Sequence, residues 1–371
     1  MSGVVATQSA ATAPRERGWR WFVLAVLAVV LITAAPAWPP ALALAAAVVR
    51  LILPYEPVAV LVLVAFASCA VLGWWSGGRT LIALLMVGAI GWLLFQTPMP
   101  TNQFGVFVRG WSMALGASFG LVCLASGNRA FLGRALSAVA LTGVIVGTGV
   151  GAQNGNDGPL SGTVRVFEQD YLRRIDESLA DWRNRTSSGV WQAFAARVPL
   201  VAARGEQLAT QLEELQRNAD TRAGSLLVLL SPSLLALQSM FALALGWAGY
   251  HRLARTRIGP PLGTLRELRF NDQLIWGLVV GAVLVMQPTL VELRVAGLNL
   301  LCFFGALYAL RGAGVCSWWM PQRWTFPLFL MFVVLVSLLG PTLMLMAIAA
   351  ICFGVGLSDT WRDFRAMARA R

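Results

Sequence analysis

The chain has 371 residues, 57% hydrophobic and 12% charged, with a net charge of +12. A soluble domain usually holds about 25% charged residues, so this composition suits lipid as a solvent rather than water. All 29 basic residues are arginines and His251 is the single histidine, which excludes a P-loop ATPase within this chain, a Schiff-base cofactor, a bis-His haem and a zinc triad.

In chain order, residues 1–18 are rich in Ala, Ser and Thr and are expected to be a disordered tail. Trp19–Ala35 and Pro40–Leu53 are short apolar segments, split by Pro36-Ala-Trp-Pro-Pro40. The first is read as an uncleaved helix. Val58–Trp75, Thr80–Gln96, Val106–Ser126 and Arg134–Gly151 follow as clearer spans, near the roughly 20 residues a crossing needs. Residues 152–222 are polar and hold ten of the 17 acids. Phe167, Tyr171, Ile175, Leu179 and Trp182 recur there at helical spacing, as do Leu208, Leu212 and Leu215, which predicts two amphipathic helices. The apolar pattern resumes with Gly224–Tyr250, Asp272–Glu292 and Val295–Val315. Phe326–Leu357 is too long for one span, and Gly340-Pro341 breaks it into a hairpin of two short helices.

The fold class is therefore all-α, a polytopic transmembrane bundle of about nine or ten segments with a polar amphipathic-helical insertion. Its parts are the tail 1–18, membrane helices 19–151, the insertion 152–222, membrane helices 223–358 and a basic tail 359–371. The arginines sit mostly in loops and tails, which reads as orientation bias rather than as a nucleic-acid surface. The loop His251–Phe270, the loop after Ser126 and the C-terminal tail are expected on the cytoplasmic side. The insertion then falls outside the cytoplasm, and residues 19–53 are read as crossing once.

Ionisable groups at membrane depth are the default functional candidates. Arg50, Arg109 and Arg134 lie near span ends, where they are expected to snorkel. Glu292 and Arg294 read as a local interfacial pair. No span carries an acid near its centre, which argues against a proton- or sodium-coupled carrier. Gln238, Gln287 and Asn299 lie inside spans and must hydrogen-bond across helices or line a cavity. Gln287 precedes Pro288, which would free a carbonyl in mid-span. Trp19, Trp21, Trp38, Trp74, Trp75, Trp318, Trp319, Trp324 and Trp361 form an interfacial aromatic belt. Gly116-x3-Gly120 and Gly143-x3-Gly147 permit close helix approach. The five cysteines are scattered singly and read as apolar fillers.

Four short patterns stand out in the C-terminal part. They are Phe270-Asn-Asp-x3-Trp276, Gly297-Leu-Asn299, Tyr308-x2-Arg311-Gly312 and Gly356-Leu-Ser-Asp359-x-Trp361-x-Asp363-Phe364-Arg365. On these the chain, over roughly residues 225–366, resembles the YybS-like proteins, an uncharacterised family of bacterial inner-membrane proteins. Their hydrophobic layout is similar to that of substrate-binding membrane subunits of energy-coupling-factor transporters. The resemblance implies a small-solute-binding subunit in the bacterial inner membrane, with a separate energising partner. Gln287, Asn299, Tyr308 and Arg311 are the candidate ligand-binding residues. Asp359, Trp361, Asp363 and Arg365 are the candidate partner-docking set, with Trp361 in the headgroups, Arg362 and Arg365 facing anionic lipid, and Asp359 in reach of Arg362. The alternative is a non-transport scaffold or assembly subunit of an envelope complex. No nucleophile–base pair or paired carboxylates are visible, so no enzyme activity is expected. No cofactor or metal is expected either. The expected partners are the lipid bilayer and a membrane or cytoplasmic protein, with self-association left open.

Overall fold

The computed structural model describes residues 19–33, 55–75, 80–95, 102–126, 130–154, 159–217, 228–253, 259–287, 291–319, 341–362 and 364. The expected N-terminal tail, the segment Pro40–Leu53, the first half of the Phe326–Leu357 hairpin, and Asp363 and Arg365 lie outside these residues. Among the described residues every regular element is helical. Four helices there are long and apolar enough to cross a bilayer, namely Gln103–Ala125, Phe131–Val150, Ser231–Arg252 and Glu292–Trp319, with five shorter apolar helices beside them. The chain is an all-α membrane protein whose apolar faces meet lipid. Its residues divide into two compact units, Met1–Val228 with Leu237–Leu262, and Leu229–Ala236 with Gly263–Arg371.

The first unit holds α1 (Trp19–Thr33), α2 (Tyr55–Trp75), α3 (Thr80–Phe95), α4 (Gln103–Ala125), α5 (Phe131–Asn154) and most of α9 (Ser231–Leu253). Helix α4 opens on Asn102, whose side chain accepts the Gly105 N–H at 3.0 Å and satisfies a donor that no helical carbonyl can reach. Helix α9 is the most enclosed, with 61% of its apolar window buried against 39% in α4 and 33% in α5. Gly246 allows this, since a methyl group there would lie 2.9 Å from the Ala65 backbone of α2. Trp111 of α4 donates its indole N–H to Ser239 of α9 at 2.9 Å. Of the expected glycine pairs, Gly116 packs tightly under Val64, whereas Gly120 and Gly143 face open space.

Arg134 corrects an expectation. It does not snorkel but is fully buried, its guanidinium 5.3 Å from the Trp247 ring centroid. Phe119 and Phe131 flank the same indole. Gly259, at φ +117°, brings loop backbone onto it; a Cβ there would lie 2.8 Å from Arg134 Nη2. The indole N–H of Trp247 donates to the Pro260 carbonyl of the same loop at 3.2 Å.

The polar insertion contains three helices where its periodicity predicts two: α6 (Pro159–Thr186), α7 (Gly189–Arg197) and α8 (Pro199–Arg217). The extra turn arises at Ser188, whose hydroxyl accepts the Trp191 N–H. Trp191 then folds back on Trp182, with ring centroids 5.1 Å apart. Pro199 opens α8 at the position where its missing N–H costs nothing. Phe167, Tyr171, Ile175, Leu179 and Trp182 are all buried, as their spacing predicts. Phe167 meets Phe104 and Phe107 of α4, which anchors the insertion. Asp170 is buried between Arg173 at 2.6 Å and Arg174 at 2.8 Å. Burial lowers the Arg174 pKa from its ordinary value, opposed by Asp170. Burial likewise raises that of Tyr171, opposed by Arg174.

The second unit holds the first turn of α9, two single-turn 3-10 helices (Leu265–Glu267 and Asp272–Leu274), α10 (Ile275–Val285), α11 (Val291–Trp319) and α12 (Pro341–Ser358). The span expected over Asp272–Glu292 shortens to α10, whose 11 residues reach about 17 Å, well short of a hydrocarbon core of about 30 Å. The residue before a proline is biased away from helix, and α10 ends just ahead of Pro288. Helix α11 has 29 residues and a length of about 43 Å, so its ends extend past the hydrocarbon core. Two glycine contacts draw its neighbours in. A methyl group on Gly297 would lie 2.7 Å from the Gly281 carbonyl of α10. One on Gly312 would collide with the Cys352 carbonyl of α12, and one on Gly356 with the Tyr308 carbonyl of α11. Helix α12 begins at Pro341.

Candidate functional site

The second unit gathers three separate chain segments around one buried cation. Arg311 is 5% exposed and projects from α11, about two turns before its end. Its Nε donates to Asp359 Oδ2 at 2.9 Å, and Nη2 donates to the Asp359 carbonyl at 3.1 Å. Nη1 donates to Asp272 Oδ1 at 2.8 Å. The guanidinium also lies over the Phe270 ring at 5.3 Å. A lone charge at this depth would be expensive, and these partners are what make it tolerable. The two acids differ in kind: the Asp359 side chain is 1% exposed and that of Asp272 is 59% exposed. Asp359 is therefore a fixed counter-ion, and Asp272 sits at the rim.

Local structure sets each partner. Asp359 follows the last turn of α12, its N–H bonded to the Val355 carbonyl at 3.0 Å. Its Oδ1 accepts the Phe364 N–H at 3.3 Å, which turns the chain back. Phe364 then packs edge-on against Trp319, with centroids 5.4 Å apart. Asp272 opens a single 3-10 turn capped by the Asn271 side chain, which accepts the Gln273 N–H at 3.1 Å. Tyr308 precedes Arg311 by three residues and so shares its helix face. Its ring packs edge-on against Phe270 at 5.2 Å.

Hydrogen-bond donors are in surplus here. Tyr308 is fully buried, and its hydroxyl lies beside Thr360, Arg311 and Asp272. The Tyr308 and Thr360 hydroxyls are within hydrogen-bonding reach of each other, and neither has an aligned bond to any other described residue. A guanidinium carries five N–H groups, and those of Arg311 make three hydrogen bonds. Buried polar groups are ordinarily satisfied, and here two N–H groups of the buried cation, with the hydroxyl pair beside them, keep hydrogen-bonding capacity that the described residues do not use.

The residues proposed from sequence separate into two groups. Tyr308, Arg311 and Asp359 meet at this site, with Trp361 exposed beside them. Asp359 is not available for docking, and its carboxylate turns to Arg311 instead of to Arg362, because the tail folds back against α11. Gln287 is exposed just past the end of α10 at Val285. Asn299 is spent on packing. Its Oδ1 accepts the Ser233 N–H at 2.9 Å, and its Nδ2 donates to Leu229 at 2.7 Å and Val295 at 2.9 Å. It thereby caps the first turn of α9 from a neighbouring helix. Phe270, Asp272 and Thr360 belong to the site without having been singled out for it. The signal for two of them was present in the Phe270-Asn-Asp272 pattern.

A family described as "Predicted membrane protein (DUF2232)" matches residues 187–354. The match includes Asp272, Tyr308 and Arg311 and stops short of Asp359. No curated protein and no solved structure matches the chain.

Proposed function

We propose that the chain is a small-solute-binding membrane subunit that relies on a separate energising partner. The observation that carries this reading is the donor surplus around Arg311, a polar site at the meeting of three segments of an otherwise apolar unit. The match to a predicted-membrane-protein family and the YybS-like patterns are consistent with it and name no solute. The absence of lysine supports the need for a partner, since this chain carries no P-loop of its own. We place the unit in the bacterial inner membrane with the arginine-rich tail on the cytoplasmic face, where the positive-inside rule puts it.

A second reading, an assembly subunit of an envelope complex, is favoured by one observation. Asn299 and the glycine contacts of α10, α11 and α12 are committed to tight packing. One experiment separates the two. The tagged protein is solubilised gently from its native membrane, and its bound proteins and small molecules are identified by mass spectrometry. A stoichiometric metabolite together with an ATPase module is expected. Envelope-synthesis proteins without any small molecule would establish the assembly role instead.

A further inference from the structure

We infer that the site around Arg311 takes the oxyanion group of its ligand, a carboxylate or phosphate, and that Asp272 occupies that place until the ligand displaces it. This rests on the solute-binding reading above. Four features carry it. Two Arg311 N–H groups remain beyond its three hydrogen bonds and can only donate, and the paired hydroxyls of Tyr308 and Thr360 beside them can donate as well as accept. An oxyanion supplies only acceptors and the charge opposite to the guanidinium, so it complements those N–H groups, whereas an ammonium would bring like charge and further donors. Arg311 already holds a neutralising partner in Asp359, buried and bonded at both side chain and carbonyl. A second carboxylate is more than one buried guanidinium requires. Asp272, with its side chain 59% exposed, is that second carboxylate, and it rides on a single 3-10 turn of a surface segment. Its carboxylate presents to Nη1 the same atoms that an incoming carboxylate or phosphate would present, which is the geometry of an internal placeholder. When Asp272 leaves, Nη1 and Nη2 together offer a planar fork of N–H groups, with the Tyr308 and Thr360 hydroxyls alongside.

The test uses the full chain in nanodiscs of neutral phosphatidylcholine. Binding of inorganic phosphate, acetate and succinate is measured by calorimetry, with methylammonium as the cationic control, and thermal unfolding is followed in parallel. An oxyanion is expected to bind and stabilise, and methylammonium is not. D272N removes the competitor and is expected to tighten oxyanion binding about two- to fivefold, the scale of losing an exposed ion pair. Y308F is expected to weaken binding about tenfold, the scale of one hydrogen bond to a charged group. Without ligand, Y308F should leave the unfolding temperature near that of the unsubstituted protein, because the deleted hydroxyl has only Thr360 beside it to lose. A merely structural Tyr308 would instead lower that temperature and leave anion binding unchanged. Protection by phosphatidylglycerol nanodiscs, tightened by D272N and without response to soluble anions, would identify the oxyanion as a lipid phosphate. Preference for methylammonium, no anion binding of any kind, or weaker binding in D272N would overturn the inference. Recovery of a stoichiometric amine from native membranes would overturn it while leaving the solute-binding reading intact.

Discussion

Among the described residues each unit buries one arginine among apolar helices, and the two are held differently. Arg311 sits between carboxylates from the surface segment before α10 and the chain after α12. Arg134 lies over the Trp247 ring and under the loop backbone at Gly259. In the second unit the buried charge ties together segments remote in sequence, so its loss leaves an opposite charge stranded. In the first, the planar guanidinium works as a packing surface for an indole and a tight turn. The lesson is that burial by itself does not define a site. What marks the Arg311 site is an exposed carboxylate set beside the buried one.

The largest test of this contrast is R311M, which strands the Asp359 carboxylate. It should cost about 3–5 kcal/mol of stability, measured by denaturant titration in mild detergent. The double variant R311M/D359L should recover most of that loss, which a purely steric role of Arg311 would not allow. Next comes N299A, which uncaps the first turn of α9 and removes one buried and two partly buried hydrogen bonds. A loss of about 1–3 kcal/mol is expected, with faster hydrogen exchange at Ser233. In the first unit, G259A forces a side chain into positive φ and onto Arg134. Its cost should be about 1–3 kcal/mol, and the Trp247 fluorescence should shift as the loop lifts. D272N should cost less than about 1 kcal/mol, since it breaks an exposed ion pair. A large loss in D272N would make Asp272 a structural counter-ion like Asp359 and remove the asymmetry on which the site rests.

The smallest effect is one of pH in the polar insertion. Burial raises the Tyr171 pKa above its ordinary value, so the folded state keeps the phenolic proton longer than the unfolded chain does. That contribution is complete below about pH 10 and is lost as pH rises through the raised folded value. Y171F should flatten this alkaline limb of the stability profile, read by the near-ultraviolet signal of Trp182 and Trp191.

Much of the architecture was legible because apolar length and helical period are local properties. The spans that became α4, α5, α9 and α11 and the buried face of α6 follow from residues within one or two turns of each other. Glycine spacing within one helix was a poorer guide. Gly143 meets nothing, while Gly312 and Gly356 touch across two helices that no single-segment pattern connects. The same holds for polar groups. Asn299 and Arg311 both look like candidate ligand residues in an apolar stretch, and only their partners tell them apart.

The sequence by itself therefore determined the solvent, the helical class, the polar insertion and which polar residues had to find partners, because each follows from local composition against the cost of burial in lipid. Only the tertiary structure decided which of those residues were consumed. It set Asn299 to cap α9, Asp359 to hold Arg311, and Asp272 to lie exposed at the rim beside two buried hydroxyls. The physical reason is that hydrogen-bond satisfaction is settled between segments brought together by packing, and a linear pattern does not encode which donors remain unmatched.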